Sequence, residues 1–274
     1  MAIDIAGVDF SGAAEPAGGL WITVAEAGDG KLTVTEQFDG SRWGTERRAV
    51  HRGLREFVGE ESFDIVGMDF PFGLPKALFA DDNVIDDWRG VLEWVKGTEP
   101  DANAFRAACG DRGREATDGE RAQLRRETDW RRGALCPYNI QIQYQTFFGL
   151  RNVIGPLADG NGATIVPQQG TPRGKTAVVE VYPAATFGRL GLYREGYKGE
   201  SGAATARRKT NVQGLTDTGI ELDREQFDRC IADADALDSL AATHAAWTAL
   251  SETRRGGYSE TRAFEGYIFC NAEP

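Results

Sequence analysis

The 274-residue chain has few residues of the types that hold zinc or form crosslinks. It contains four cysteines and only two histidines, and the cysteine spacings match neither a C-x-x-C pair nor a zinc-binding pattern. We therefore expect neither a disulfide framework nor a zinc site, but buried, reduced thiols in a reducing compartment. The cysteines are Cys109, Cys136, Cys230 and Cys270.

Positive charge is scarce as well. The net charge is −11, with 31 basic against 42 acidic residues, which argues against a generally basic nucleic-acid-binding surface. Lysine is especially rare, since only six of the basic residues are lysines and the rest are arginines. This composition resembles that of halophilic proteins, and at molar salt a Debye length of about 3 Å weakens the repulsion from a polyanion. A nucleic-acid partner is therefore not excluded.

Long apolar runs are missing too. The chain shows no basic-then-apolar leader and no apolar run of about 18 residues. We therefore expect a soluble, cytoplasmic protein without a membrane partner. The hydrophobic content of 41% is sufficient for a core, and the length fits one large domain that carries an insertion. No feature of the sequence predicts the oligomeric state.

The first 70 residues predict the order β-β-β-α-β. Apolar runs at 3–10, 20–25 and 32–35 predict three strands, and the Asp-Gly step before the third predicts a hairpin. Residues 46–58 show helical spacing of apolar positions, and residues 63–68 predict a buried fourth strand. A doubly wound nucleotide-binding fold would alternate strands and helices from its start, so we expect a different α/β architecture.

The remaining residues predict a largely helical insertion after the fourth strand, and then the second part of the core. Residues 176–182 predict a fifth strand, and 232–250 is the strongest helix pattern. We expect a single domain with a core of about 1–75 and 176–274 and an insertion of about 76–175. The insertion contains helix-like segments at 84–96, 102–109 and 118–130 and a Gly- and Pro-rich loop or hairpin at 159–175.

Two short motifs, each with an aspartate, lie at the ends of predicted strands. Asp9 lies in G-V-D-F-S-G, and Asp69 lies in G-M-D-F-P-F-G. Two carboxylates at one edge of a sheet repel each other unless a cation lies between them. Each aspartate alone also fits a simpler role, because Asp commonly bonds the backbone of its own turn.

The second half adds three acidic candidates. Glu180 lies near the end of the fifth strand, and Asp235 and Asp238 are three residues apart on the last long helix, so they share a face. Asp238 is set in an apolar stretch, where an unpaired charge is costly. The simpler alternatives are an ion pair between Glu180 and an arginine and a solvated helix face for Asp235.

Together these acids predict a metal site. Asp9, Asp69 and Asp238 would form a three-carboxylate cage, with Glu180 and Asp235 as outer or alternate ligands. Hard oxygen ligands suit Mg²⁺ or Mn²⁺, and such ions can activate water for attack on a phosphodiester.

Several motifs together resemble one family. G-V-D-F-S-G, M-D-F-P-F-G-L-P, V-E-V-Y-P-A and the terminal E-G-Y-I, in this order, are similar to the DUF429 family of predicted ribonuclease H-like nucleases. The D-x-x-D-S-L-A helix also resembles the last helix of Holliday-junction resolvases of that superfamily. The resemblance implies an α/β fold with a ribonuclease H-like mixed five-stranded sheet flanked by helices.

The resemblance also implies roles for residues. Asp9, Asp69 and Asp238 take the metal-ligand and catalytic positions, Asp235 matches the neighbouring acid of the helix motif, and Glu180 matches an acid typical of the family. The fourth-strand acid is the shorter aspartate, where many classical members carry glutamate. This difference puts the metal spacing in doubt.

The leading hypothesis is a metal-dependent phosphodiester hydrolase, most simply a nuclease that uses metal-activated water. The first alternative is an ATP-using phosphotransferase or ATPase of the actin-like fold, which needs a second β-β-β-α-β unit. The second is a non-catalytic nucleic-acid-binding or scaffold protein. The substrate is open between DNA, RNA and a small phosphoester, and the number of metal ions is open between one and two. The arginine-rich stretch 121–132 is a nucleic-acid candidate, although a surface helix with ion pairs is favoured.

Overall fold

A computed structural model describes residues 2–80, 82, 84–97 and 101–270. In these residues a mixed α/β fold is built on an eight-stranded sheet with the order β5-β6-β4-β1-β2-β3-β7, and β8 pairs with β6. The β1–β2 and β2–β3 pairs are antiparallel, and the other pairs are parallel. The strands are β1 Ile3–Asp9, β2 Trp21–Gly28, β3 Lys31–Asp39, β4 Ile65–Asp69, β5 Ala163–Val166, β6 Thr176–Val181, β7 Ile220–Glu221 and β8 Ile268–Phe269.

Helices lie on both faces of this sheet. A π-helical segment, Leu150–Ile154, joins α5 to α6, and a helix long and apolar enough to cross a bilayer is not found within the described ranges. The α-helices are α1 Arg47–Glu60, α2 Trp88–Gly97, α3 Ala102–Glu115, α4 Glu127–Arg132, α5 Gln143–Gly149, α6 Gly155–Asp159, α7 Pro183–Arg189, α8 Gly202–Thr216, α9 Arg224–Ala232, α10 Ala234–Arg255 and α11 Glu260–Glu265.

The first third follows the predicted β-β-β-α-β order. The hairpin between β2 and β3 turns at Asp29 and Gly30, whose φ angles of 51° and 77° suit aspartate and glycine. Helix α1 then returns the chain so that β4 lies parallel to β1, with Asp9 opposite Asp69. The strand order thus brings the two aspartate motifs together at the carboxyl ends of β1 and β4.

The number of strands was predicted wrongly. Within the part of the chain that the structure describes, the sheet has eight strands rather than five, because β5, β7 and β8 are added to the predicted set. β5 lies inside the predicted loop or hairpin at 159–175, and β7 and β8 have two residues each. Strands this short contain too few residues for a pattern of period two, and only their pairing with longer strands defines them.

The segment between β4 and β5 is largely helical, as predicted, but the position predicted for one of its helices is wrong. The prediction of a helix over 118–130 is wrong, since residues 118–126 are non-helical and α4 begins at Glu127. Arg126 ends this non-helical stretch, and its side chain is fully buried against acidic partners. The bonds of this buried side chain outweigh the helix propensity of the surrounding residues.

The sheet separates two hydrophobic clusters. Along β1, Ala6 and Val8 face the cluster that contains α1 and the helices after β4, whereas Ile5 faces the cluster that contains α10. Helix α10 is buried on all sides between Ala236 and Ala246, which explains its richness in alanine and leucine. The face that carries Ile5 also carries Gly7 and Asp9, because side chains alternate along a strand.

Candidate metal centre

Two strand ends place the first two carboxylates side by side. Asp9 is the last residue of β1 and Asp69 is the last residue of β4, and the parallel register sets them directly opposite each other. Asp9 is buried and Asp69 is half-buried. Both side chains project on the face of the sheet that α10 covers.

Two glycines allow α10 to approach this face closely. Gly7 and Gly67 are opposite each other in the same register, two residues before the aspartates. A Cβ atom at Gly7 would lie 2.2 Å from the Thr243 backbone nitrogen, and one at Gly67 would lie 2.8 Å from the Ala242 carbonyl oxygen. Any larger residue would push the helix off the sheet, so the G-x-D pattern in both strands sets the distance between sheet and helix.

Helix α10 supplies the third carboxylate. Its first turn is capped by Asp233, which accepts hydrogen bonds from the backbone nitrogens of Asp235 and Ala236. Asp238 follows one turn later and is 1% exposed. Next to it, the hydroxyls of Ser239 and Thr23 are hydrogen-bonded at 2.7 Å, which fixes the helix against β2.

Asp9, Asp69 and Asp238 form a compact cluster. Each offers one carboxylate oxygen, and these oxygens all lie within 4.8 Å of one another. Burial raises the pKa of Asp9 well above its ordinary value, and the carboxylates of Asp238 and Asp69 raise it further. Burial also raises the pKa of Asp69 and of Asp238. The cluster therefore holds more negative charge than its surroundings stabilise, which is the condition under which a cation binds.

Two side chains that were not predicted complete the cluster. The Tyr197 hydroxyl donates to Oδ1 of Asp238 at 2.9 Å, and Nζ of Lys198 lies 2.6 Å from Oδ2 of the same carboxylate. Burial lowers the pKa of Lys198, but the carboxylates of Asp238 and Asp9 outweigh this effect and raise it above its ordinary value. The ammonium group is therefore charged at neutral pH. One signal was available in the sequence, because a lysine in a lysine-poor chain stands between glycines at 196 and 199.

Asp235 lies at the edge of the cluster. Its Oδ1 is 3.9 Å from Nζ of Lys198, and its side chain is 39% exposed. Burial raises its pKa, while Lys198 opposes that change. It therefore shares the lysine with Asp238 and borders the site rather than forming its centre.

The structure places Glu180 against an arginine. Its Oε1 and Oε2 accept hydrogen bonds from Nη2 and Nη1 of Arg126 at 2.5 and 2.7 Å, and Oε2 also accepts from the Phe72 backbone nitrogen. Arg126 binds Asp129 as well, and both side chains are fully buried. Glu180 is thus part of a buried ion pair beside the cluster, and its assignment as a metal ligand stays a prediction.

The terminal E-G-Y-I motif lies beside the buried ion pair of Glu180 and Arg126. The Glu265 carboxylate accepts from the backbone nitrogens of Lys76 and Glu127, so it joins the loop after β4 to the start of α4. Gly266 has φ of 89°, and a Cβ atom there would lie 3.1 Å from both Glu180 Oε2 and Arg126 Nη1. The motif therefore holds the chain around the ion pair.

The loop after Asp9 is held by a buried histidine. Nε2 of His51 lies 3.2 Å from the Ser11 carbonyl oxygen, and Nδ1 lies 3.4 Å from Nδ2 of Asn152. Burial lowers the pKa of His51 to about 4. The neutral ring therefore donates to Ser11 and accepts from Asn152, and it supports the strand end that carries Asp9.

An open cleft of about 790 Å³ gives access to the cluster. All five sequence-predicted acids line it, together with Tyr197 and Lys198. Its other walls carry Tyr144, Tyr182 and Arg194, and Tyr144 is 41% exposed. A cleft of this volume can hold a ligand of nucleotide size.

Comparison with known families gives one match. The family model described as "Protein of unknown function (DUF429)" matches residues 158–261, which is less than half of the chain. This range carries Glu180, Lys198, Asp235 and Asp238, and it confirms the predicted resemblance to DUF429. No curated protein and no solved structure matches the chain.

Proposed function

We propose that the protein is a metal-dependent phosphodiester hydrolase, most simply a nuclease, with a ribonuclease H-like core. The observation that carries this proposal is the convergence of three carboxylates from β1, β4 and α10, with oxygens within 4.8 Å of one another. Their chain positions are separated by 60 and 169 residues, so only the fold brings them together.

The donor set fits a hard divalent cation. Aspartate oxygens are the ligands that Mg²⁺ and Mn²⁺ prefer. Burial, followed by the neighbouring Asp238 carboxylate, raises the pKa of Asp9 and of Asp69, so a bound cation would favour their charged forms. A bound ion there would supply Lewis acidity toward a phosphate oxygen and would lower the pKa of a coordinated water. We propose Mg²⁺ or Mn²⁺ as that ion.

Each residue of the site then has a role of its own. Asp9, Asp69 and Asp238 hold the ion, and Asp235 is an outer acid that orients water at the rim. The Tyr197 hydroxyl fixes the orientation of the Asp238 carboxylate through its 2.9 Å hydrogen bond. Glu180 keeps the loop after Asp69 in place, because it accepts the Phe72 backbone N–H.

The topology supports the ribonuclease H-like assignment. An antiparallel β1-β2-β3 meander is followed by α1, then by β4 parallel to β1 and by β6 parallel to β4. The catalytic acids of the proposal occupy the first strand, the fourth strand and the long last core helix. We also propose that residues 1–274 form a single domain with a helical insertion between β4 and β6.

The cleft supports a polymeric or nucleotide-sized phosphoester rather than a free small anion. Tyr144 and Tyr182 present aromatic surfaces on which bases can stack, and Arg194 adds a positive charge at the wall. Nucleic acid, either DNA or RNA, is therefore the proposed substrate.

The test is cleavage with and without divalent cation. The purified protein should cleave at least one of single-stranded DNA, duplex DNA, RNA or bis(p-nitrophenyl) phosphate in the presence of Mn²⁺ or Mg²⁺, and EDTA should abolish the activity. Asp9→Asn and Asp238→Asn should each reduce the rate by about 10³-fold or more, since each removes a proposed metal ligand. Asp29→Asn, in the exposed β2–β3 turn, is the matched control and should be unaffected. Full cleavage by both site variants would refute the proposal.

A further inference from the structure

We infer that Lys198 is a built-in second cation of the site, so that the carboxylate cluster binds one divalent ion and not two. This inference rests on the proposed function, because it specifies the metal content of the same site. It follows from where the lysine lies, how its loop is held, and the balance of charge in the cluster.

The ammonium group lies where a second ion would bridge the two helix acids. Its Nζ is 2.6 Å from Oδ2 of Asp238 and 3.9 Å from Oδ1 of Asp235. Asp9 and Asp69 face Asp238 from the sheet side, and the three offer oxygens within 4.8 Å of one another. One position among the three clustered carboxylates is thus available to an ion, while the position between Asp238 and Asp235 is taken by the lysine.

The backbone of the loop that carries Lys198 is bound by the side chain of Arg208. The Arg208 guanidinium is buried, and its Nη1 donates to the carbonyl oxygens of Tyr197 and Gly199 at 2.7 and 2.8 Å. Its Nε donates to the Ile231 carbonyl oxygen at 2.6 Å. The peptide group before the lysine and the one after Gly199 are therefore fixed, and the side chain reaches Asp238 from an anchored backbone.

A carboxylate can serve the lysine and an ion together. Its two oxygens present about four lone pairs, and those of Asp238 accept one hydrogen bond from Tyr197 and one from Lys198. Lone pairs remain that can coordinate an ion on the side of Asp9 and Asp69. Metal binding therefore does not require the lysine to leave.

The charges also favour one ion. In the substrate-free site, one divalent ion and Lys198 supply three positive charges, which equal the charge of the three clustered aspartates. Two divalent ions and the lysine would supply five positive charges, which exceeds the four negative charges even when Asp235 is included. A second ion would also lie within a few ångströms of the ammonium group, where like charges repel strongly.

Manganese binding to the full-length protein without substrate tests this inference. Isothermal titration calorimetry, with the EPR signal of unbound Mn²⁺ as a second readout, should give one site in the wild type. Lys198→Met removes the charge and keeps a long unbranched side chain. We expect this variant to bind a second ion, or to bind the first at least about tenfold more tightly, because a unit charge a few ångströms from a divalent ion has been removed. Lys209→Met is the matched control, since Lys209 is an exposed residue on α8 and its replacement changes the net charge equally.

The outcomes separate the two proposals. Two ions of similar affinity in the wild type would refute the role of Lys198 and leave the metal-dependent function standing. Unchanged stoichiometry and affinity in Lys198→Met would refute it as well, and Lys198→Arg, which keeps the charge, should behave as the wild type. Absence of Mn²⁺ binding in every variant, with intact circular dichroism spectra, would refute both proposals.

Discussion

Replacement of Glu180 by glutamine separates two roles that the sequence left open for this residue. In the structure, both carboxylate oxygens of Glu180 bind the Arg126 guanidinium, and each of the two side chains is at most 2% exposed. Glu180→Gln removes the negative charge and places an amide N–H against the guanidinium N–H groups. We expect a less stable protein whose metal affinity is almost unchanged.

The magnitude follows from the contacts. Breaking a buried ion pair by removal of one partner costs about 3–5 kcal/mol, because the other charge is left uncompensated. Arg126 keeps Asp129 as a partner, at 2.7 Å, so the lower end of that range applies. For domains of roughly 150–250 residues each kcal/mol lowers Tm by about 2–4 °C, so a loss of about 3 kcal/mol should lower Tm by about 6–12 °C.

The assays are thermal and urea denaturation of the metal-free protein, both monitored by circular dichroism, together with Mn²⁺ titration. The matched control is Glu36→Gln, since the Glu36 and Arg42 side chains form an ion pair that is about half exposed. Exposed pairs contribute at most about 1 kcal/mol, so the control should lose little stability. A Glu180→Gln protein that is as stable as the wild type but fails to bind Mn²⁺ would show that Glu180 is a ligand, and the ion-pair interpretation would be wrong.

Two further predictions concern the position and the charge of the cluster. Gly7→Ala should destabilise the protein by about 3 kcal/mol and weaken Mn²⁺ binding, because the new Cβ would lie 2.2 Å from the Thr243 backbone nitrogen and would move α10. The control is Gly18→Ala, whose new Cβ would meet no atom within 4 Å, so neither the stability nor the Mn²⁺ affinity should change. In the metal-free protein, burial and the Asp238 carboxylate raise the pKa of Asp69 from 3.8 to about 8, so this group stabilises the fold below pH 4 and that contribution is lost as the pH rises to 8. Asp69→Asn should therefore flatten the fall in unfolding free energy between pH 4 and 8, and an identical slope in wild type and variant would contradict this account.

Local patterns in the sequence were sufficient for the elements that place the first two acids. The Asp-Gly turn, the apolar runs of strand length and the helical spacing over 46–58 depend only on neighbouring residues, so the β-β-β-α-β order and the positions of Asp9 and Asp69 at strand ends could be predicted. The acids at 235 and 238 followed from helical periodicity in the same way.

What could not be predicted depends on residues that are distant in the sequence. Arg126 lies in the stretch 121–132 that was interpreted as a surface helix with ion pairs, yet one of its two acidic partners, Glu180, lies 54 residues further along the chain. Lys198 contacts Asp238 across 40 positions of the sequence, from a loop that Arg208 holds before α8. His51 is fully buried, and its partners Ser11 and Asn152 lie 40 and 101 residues away in the chain. No local pattern contains these contacts.

The packing that forms the core also forms the proposed metal site. Helix α10 covers β1, β2 and β4 with small residues, and Gly7 and Gly67 let it lie so close that Asp238 meets Asp9 and Asp69. The same closeness brings together two buried carboxylates and the half-buried Asp69, with Lys198 against them, which costs stability while no other cation is bound. A protein selected for stability alone would gain from an uncharged residue at any of these positions, as burial of unpaired charge is among the most destabilising features of a core. The proposed metal binding accounts for this charge. It predicts that stabilisation by Mn²⁺ vanishes in Asp238→Asn, while the variant itself is more stable than the metal-free wild type.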